Sequence, residues 1–302
     1  MKVRSSFESL KGSNLNMHSN KYQLCKLGLS AALFGLLSAG SISAQAEDLN
    51  VCAGQDEMPF SNKNKEGFEN ALAEVVGKAM NRKVNFVFWN DPRYVVRDYL
   101  DKKKCDVVLG ADETDPRMLK TDPYYKTGYV FITKEDRGID ISSWNDDLLK
   151  ERNFRIGVLP DSPGKVMLLQ INRFDDMFDY FAELQHYQST RNKFVKVYPD
   201  RLVKDVETKY IHSAMLWAPE AARYVRASKT PLKMQIVNDD AVKSNGEKVP
   251  MHYQIVMGVR KDDSALKDAL NRVIHEKKSE IDAILKQEGI PLMAVTNTKE
   301  GA

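Results

Sequence analysis

Two stretches of the chain repeat one order of apolar strands and amphipathic helices, and this repeat restricts the possible fold more than any other feature. In the first stretch LNVCAG (Leu49–Gly54) reads as a short buried strand, and Phe68, Leu72, Val75, Val76, Ala79 and Met80 then recur at helical spacing. KVNFVFW (83–89) has a strand pattern, a helix follows around 94–100, and CDVVLG (105–110) supplies a third strand. The second stretch begins near Arg155 with the strand FRIGVLP and the turn DSPG. A helical run from Lys165 to about Leu184, a strand FVKVYP (194–199), a helix near 202–206 and the apolar strand SAMLW (Ser213–Trp217) follow. Val51 and Val107 are 56 residues apart and Ile156 and Ala214 are 58 apart, so the halves read as a degenerate duplication. Each β-α-β-α-β unit builds a parallel sheet with right-handed crossovers, which predicts an α/β molecule of two lobes.

The N-terminus is a leader rather than part of either lobe. A basic segment ends at Lys26, an apolar run covers 27–44, and Ala44-Gln45-Ala46 fits a signal-peptidase site. The run contains three glycines and four serines, poor material for a span of about 20 apolar residues. Residues 1–46 are therefore predicted to be removed on export, leaving a chain that starts at Glu47. The leader holds five basic groups and one acid, so 40 basic and 41 acidic residues remain, a net charge of −1. That balance leaves no electrostatic footprint for nucleic acid or for an anionic membrane surface.

Cys52 and Cys105 are the cysteines left after cleavage, and an exported pair suits a disulfide. The first and third strands of such a unit lie about 4.8 Å apart when adjacent, within disulfide reach. Closing a loop of 53 residues contributes on the order of 4 kcal/mol in the chain-entropy account. A zinc site would need a CxxC or paired histidines, and the sequence has neither.

YYKTGYVFITK (124–134) and HYQIVMGVRK (252–261) are extended segments placed to cross between the lobes, so the chain leaves the first lobe and returns to it. This gives boundaries of 47–134 with 253–302 for lobe 1 and 135–252 for lobe 2. A single final helix with Leu266, Leu270, Val273, Ile274, Ile281, Ile284 and Leu285 on one face would pack on the first lobe. Asp263 or Ser264 would cap it, and Gly289 and Pro291 would stop it. The polar, Gly- and Asn-containing segment 239–250 reads as an exposed loop.

Met58-Pro59-Phe60, Gly67-Phe68, GADETDPR (110–117) and Pro123-Tyr124-Tyr125 occur where a known family carries its motifs. The chain resembles the family 3 extracellular solute-binding proteins, which implies a two-lobed, type II-like periplasmic binding-protein fold with two crossing hinge strands. In amino-acid-binding members the arginine seven residues beyond the glycine of the third motif grips the ligand carboxylate, which places Arg117 in that role. A narrower resemblance runs from about Leu49 to Leu292. Its segments include GFENALAEVVGKAM, DPRYVVRDYLDKKKCDVVLG, RIGVLPDSPGKVML and EKVPMHYQIVMGVRKDD. It is to the binding-protein-like components of bacterial methanol oxidation systems. That likeness implies a periplasmic, monomeric accessory protein whose partners are methanol dehydrogenase subunits. Pyrroloquinoline quinone and a metal ion would belong to the dehydrogenase, and this chain would hold no cofactor of its own. A receptor delivering a small solute to an importer is the alternative.

Three departures from the amino-acid binders argue against an ordinary amino-acid ligand. Glu69-Asn70-Ala71 replaces the aspartate-rich turn after Gly67-Phe68, His212 stands where an aspartate usually precedes the buried strand, and the Arg117 to Pro123 spacing is short. The candidate cleft residues are Arg117, Tyr124, Tyr125, Ser162, Trp89 and Trp217. Each has a structural alternative. Arg117 pairs with Asp112 or Asp115 to tie down its loop, the tyrosines pack in the hinge, Ser162 caps a helix with Pro163 at its first position, and both tryptophans fill the core. No GxSxG, HExxH or GxGxxG is present, and His186, His212, His252 and His275 share no local motif with a nucleophile. The sequence therefore predicts a binding protein and not an enzyme.

Overall fold

A computed structural model describes residues 47–175 and 197–296. The leader, the distal part of the helix expected to reach Leu184, residues 194–196 of the expected strand and His186 lie outside those residues. β1 (Leu49–Gly54) is buried everywhere except at Asn50, as a mainly apolar strand is when both faces of a sheet are covered. It pairs in parallel with β4 (Val84–Trp89), from Leu49 opposite Val84 to Gly54 opposite Trp89, and with β5 (Val107–Asp112) at Val51 and Val107. Between β1 and the first helix sits a small antiparallel pair, β2 (Asp56–Glu57) and β3 (Ser61–Asn62). Cys52 and Cys105 are joined, with Cα atoms 5.4 Å apart. Cys105 precedes β5 rather than lying within it, so the bridge ties β1 to the connection entering β5.

The remaining strands are β6 (Leu119–Lys120), β7 (Tyr125–Lys134), β8 (Ile156–Val158), β9 (Ser213–Trp217), β10 (Leu232–Ile236) and β11 (His252–Val259). A hydrogen-bonded path runs β4-β1-β5-β11-β7-β9-β8, with β10 on β7 and β6 on β11. β7 is the element shared by both sheets. Its residues 125–128 pair with β11, and 129–133 pair with β9 while β10 lies on the other flank. β10 was not anticipated, although Leu232, Met234 and Ile236 alternate with Lys233 and Gln235 as a strand should.

α1 (Phe68–Ala79) buries Phe68, Leu72, Ala73 and Val76. Asn70 fixes its start: the side-chain oxygen accepts from Gly67 N–H at 3.2 Å and its amide donates to Ser61 Oγ at 2.9 Å. The helix expected at 94–100 is a 3-10 turn, Pro92–Tyr94, followed by a π-helical turn, Val96–Leu100. α2 (Pro163–Gln170) ends well short of Leu184. Asn172 adopts φ 56° there, its N–H bonds Leu169 O, and Arg173 N–H bonds Leu168 O at 2.8 Å, a Schellman stop with Asn in the left-handed position. Pro199, expected to end a strand, opens α3 (Pro199–Glu207) instead, because its fixed φ and missing N–H suit the first helical turn.

β9 leads directly into α4 (Ala218–Ala227). The single terminal helix is two: α5 (Ser264–Glu276), capped by Asp263, whose carboxylate accepts from Leu266 N–H, and α6 (Lys278–Glu288), closed by Gly289 at φ 85°. Residues 275–280, HEKKSE, carry no apolar anchor between Ile274 and Ile281, so the chain can bend there and keep both apolar faces on the globule.

One core gathers Leu49, Phe68, Leu72, Val107, Met257, Leu270 and Ile281; a second gathers Phe131, Trp144, Ile156, Leu168, Leu202 and Met215. A smaller cluster of Val95, Leu100, Met118 and Val256 packs around the disulfide. Burying each large apolar side chain contributes about 1.5–3 kcal/mol.

Candidate functional site

A cavity of about 800 Å³ opens where β7 passes from one sheet to the other. It is bounded by Gly110 and Asp112 at the end of β5, by Pro160 to Pro163 before α2, by Trp217 at the end of β9 and by the 243–250 loop. Ligands of open α/β sheets sit beyond such carboxyl ends. The register Tyr129 opposite Trp217 brings two rings together at 5.4 Å between centroids, and Tyr253 of β11 stands 5.7 Å from Trp217 and 6.3 Å from Tyr129. Three half-buried rings from three different strands thus make one wall.

Two carboxyl groups border that wall. Glu220, on the first turn of α4, accepts a hydrogen bond from Trp217 N–H, and burial together with nearby Glu57 raises its pKa to about 7. Glu69 lies beneath the floor, also raised to about 7, first by burial and then by Glu57. Gly110 holds φ +70°, and a Cβ there would fall 2.1 Å from Glu69 Oε1, so only glycine lets the carboxylate approach. Tyr124 OH accepts from Gly110 N–H at 3.0 Å on the same floor.

The structure separates the residues singled out from sequence. Ser162 and Trp217 line the cleft. Ser162 holds the N-cap position with Pro163 next, yet its hydroxyl donates back to Leu159 O at 2.7 Å instead of capping. Arg117 does not line the cleft. Its guanidinium forks onto Asp115 at 2.6 and 3.0 Å and stands beside Asp101, Lys103, Arg260, Lys261 and Asp262; the Asp-Pro-Arg turn satisfies it locally. Tyr124 and Tyr125 are fully enclosed, edge to face at 5.0 Å. Trp89 packs over the disulfide cluster with its indole N–H unpaired among the described residues, and the rings beside Trp217 are those of Tyr129 and Tyr253. Sequence reasoning missed Tyr129, Tyr253, Asp112 and Glu220. The two tyrosines fall within the crossing segments, which was the one signal available for them.

The three histidines among the described residues have structural partners: Nδ1 of His212 accepts from Arg155 N–H at 3.0 Å, and His252 and His275 meet Val237 O and Asp122. His212 is held below its ordinary pKa by burial and by Arg137 and Arg155, which keeps it a neutral acceptor. No group of His, Cys, Asp and Glu among the described residues is arranged to hold a metal ion.

Residues 49–287 match the model of the bacterial extracellular solute-binding proteins, family 3. The chain belongs to that family. Family 3 proteins are extracellular by description, and no helix among the described residues is long and apolar enough to cross a membrane. Within family 3 the chain is 42% identical to Protein MoxJ of Methylorubrum extorquens over 261 residues, 86% of each protein. It is 35% identical to Protein MoxJ of Paracoccus denitrificans, covering 90% of this chain and 97% of that protein. The crystal structure of MxaJ from Methlophaga aminisulfidivorans superposes with a TM-score of 0.76 at 42% identity, over 81% of this chain and 100% of that one.

Proposed function

We propose that this chain is a non-enzymatic periplasmic accessory protein for the pyrroloquinoline-quinone-dependent methanol dehydrogenase, acting in the assembly, maturation or activation of that enzyme. The observation that carries the reading is the 42% identity to MoxJ across 86% of both chains, a likeness that takes in both lobes. In this reading quinone and metal ion reside in the dehydrogenase, and the chain engages its subunits as a monomer through the cleft between lobes 47–134 with 253–302 and 135–252. The loss of the arginine clamp from the cleft supports it, since a solute receptor of this family would use that group to hold a carboxylate. A helper acts by binding one state of its client more tightly than another, and a preference of a few kcal/mol is enough to shift the population.

Deletion of the gene tests the proposal. Dehydrogenase polypeptide should still be made, with less assembled, active enzyme, and the wild-type gene should restore it. Normal activity and assembly in the deletion strain would refute the accessory role. Native mass spectrometry of the chain mixed with dehydrogenase subunits should show a complex. A small ligand carried through purification, with no such complex, would favour a solute receptor.

A further inference from the structure

The wall of the cleft at Trp217 combines aromatic rings with acids, and two of the three lysines that line the cavity are paired with carboxylates. Glu220 has Glu57 as its charged neighbour. Asp112 contributes to the field at both Tyr129 and Tyr253. Three lysines line the cavity as well: Lys243 bonds Glu247, itself a lining residue, at 2.7 Å, Lys248 bonds Asp239 at 2.6 Å, and Lys165 stands 5.8 Å over the Phe174 ring. Three rings with electron-rich faces and two carboxylates form a recognition set for a cation, because the ring quadrupole and the carboxylate charge attract the same ligand.

The lobes are also fastened to each other at one side of this cleft. Arg223 of α4 forks onto Glu288 of α6 with two bonds of 2.7 Å and reaches Glu66 O at 3.1 Å. Arg226 donates to Gln287 O, and Tyr198 OH donates to Asp56 at 2.8 Å. Bonds between the lobes oppose their separation, on which full enclosure and release of a free solute depend. A side chain projecting from a polypeptide needs no closure, since its backbone can stay at the cleft mouth.

We infer that the Tyr129–Trp217–Tyr253 wall, with Glu220 and Asp112, receives a lysine or arginine side chain presented by the partner polypeptide. The inference deepens the accessory reading and rests on it for the partner. The test is a titration of the purified chain, followed through the indole N–H resonance of Trp217. Its probes are the capped peptide Gly-Gly-Lys-Gly-Gly, the same peptide with norleucine for lysine, and n-butylammonium. The lysine peptide should give a saturable shift, the norleucine peptide none, and n-butylammonium a weaker one. Glu220→Gln should weaken the lysine peptide by at least about fivefold at pH 8, the scale of one desolvated cation contact. Glu220→Asp, which keeps the charge, should recover part of the loss, and near-ultraviolet circular dichroism checks that both variants fold. Equal binding of the norleucine peptide, or an unchanged affinity in a folded Glu220→Gln, would overturn the inference. Equally tight n-butylammonium would make this a free-amine site and overturn the polypeptide assignment. If the peptide fails while the chain still forms its complex with dehydrogenase subunits, this inference falls and the accessory reading stands.

Discussion

Glu69→Gln should stabilise the protein above neutral pH and do little below pH 5. The wild-type carboxyl has an ordinary value of 4.5 and is raised to about 7 in the fold, so folding favours its protonated form. The associated stability is fully present below pH 4.5 and is lost as pH rises through about 7. A rise of that size corresponds to about 3 kcal/mol, and partial access of solvent to the side chain brings the expected figure to about 2 kcal/mol. Glutamine keeps the shape beside Gly110 and has no charge to desolvate, so the variant should avoid this loss. Urea denaturation of wild type and variant at pH 5 and pH 8 measures the change directly, provided that the m-values agree. Taking the difference between the two proteins also cancels His212, which runs the other way: its depressed pKa makes stability fall as pH drops below about 6.5. A difference between variant and wild type that is the same at both pH values would show that Glu69 is not paying a charge penalty at this floor.

Gly110→Ala should cost at least about 2 kcal/mol by the same assay, since a side chain at φ +70° is strained and its Cβ meets Glu69. Reduction of the Cys52–Cys105 bridge, which spans 53 residues, should lower stability by up to about 4 kcal/mol, read as a fall in the denaturation midpoint with and without reductant. Calorimetry over the common amino acids should find no dissociation constant below about 10 μM, roughly −7 kcal/mol, because Arg117 is engaged by Asp115 outside the cleft; one micromolar binder would restore the solute-receptor reading.

The parts of the fold legible in the sequence were those governed by long apolar patterns. β1, the β5 region and β9 are predominantly apolar runs, and the two crossings β7 and β11 read correctly as extended because Val130, Phe131, Ile132, Ile255, Val256 and Met257 are buried apolar residues. What stayed hidden depends on single residues or on contacts between distant segments. The stop of α2 rests on Asn172 adopting a left-handed backbone, which an Asn inside an apolar stretch does not announce. Arg117 lies two residues from Asp115 and seven from Gly110, so both an ion pair and a ligand role were compatible with the spacing. Tyr129 and Tyr253 look like ordinary strand residues until the register sets one opposite Trp217 and the other beside it.

The departures from the amino-acid-binding pattern have one physical consequence when taken together. Asn70, where an acidic turn would face the ligand, spends its amide on Ser61 and on the start of α1. His212, in place of an aspartate, accepts a backbone N–H of Arg155, so neither position offers a charge to an amino acid. Arg117 satisfies its fork within its own turn, which removes the carboxylate clamp. Glu220 and Asp112 stand beside the three aromatic rings, while Asp161, Glu247, Lys165, Lys243 and Lys248 also line the cleft. At the aromatic wall a zwitterion would bring its own carboxylate toward Glu220 and Asp112 with no guanidinium to receive it, whereas a cationic group would meet the two acids and the rings. On the proposed reading the same scaffold would disfavour free amino acids by repulsion as well as by lost contacts, and this selectivity would come from a few side chains while the sheet that carries them is kept.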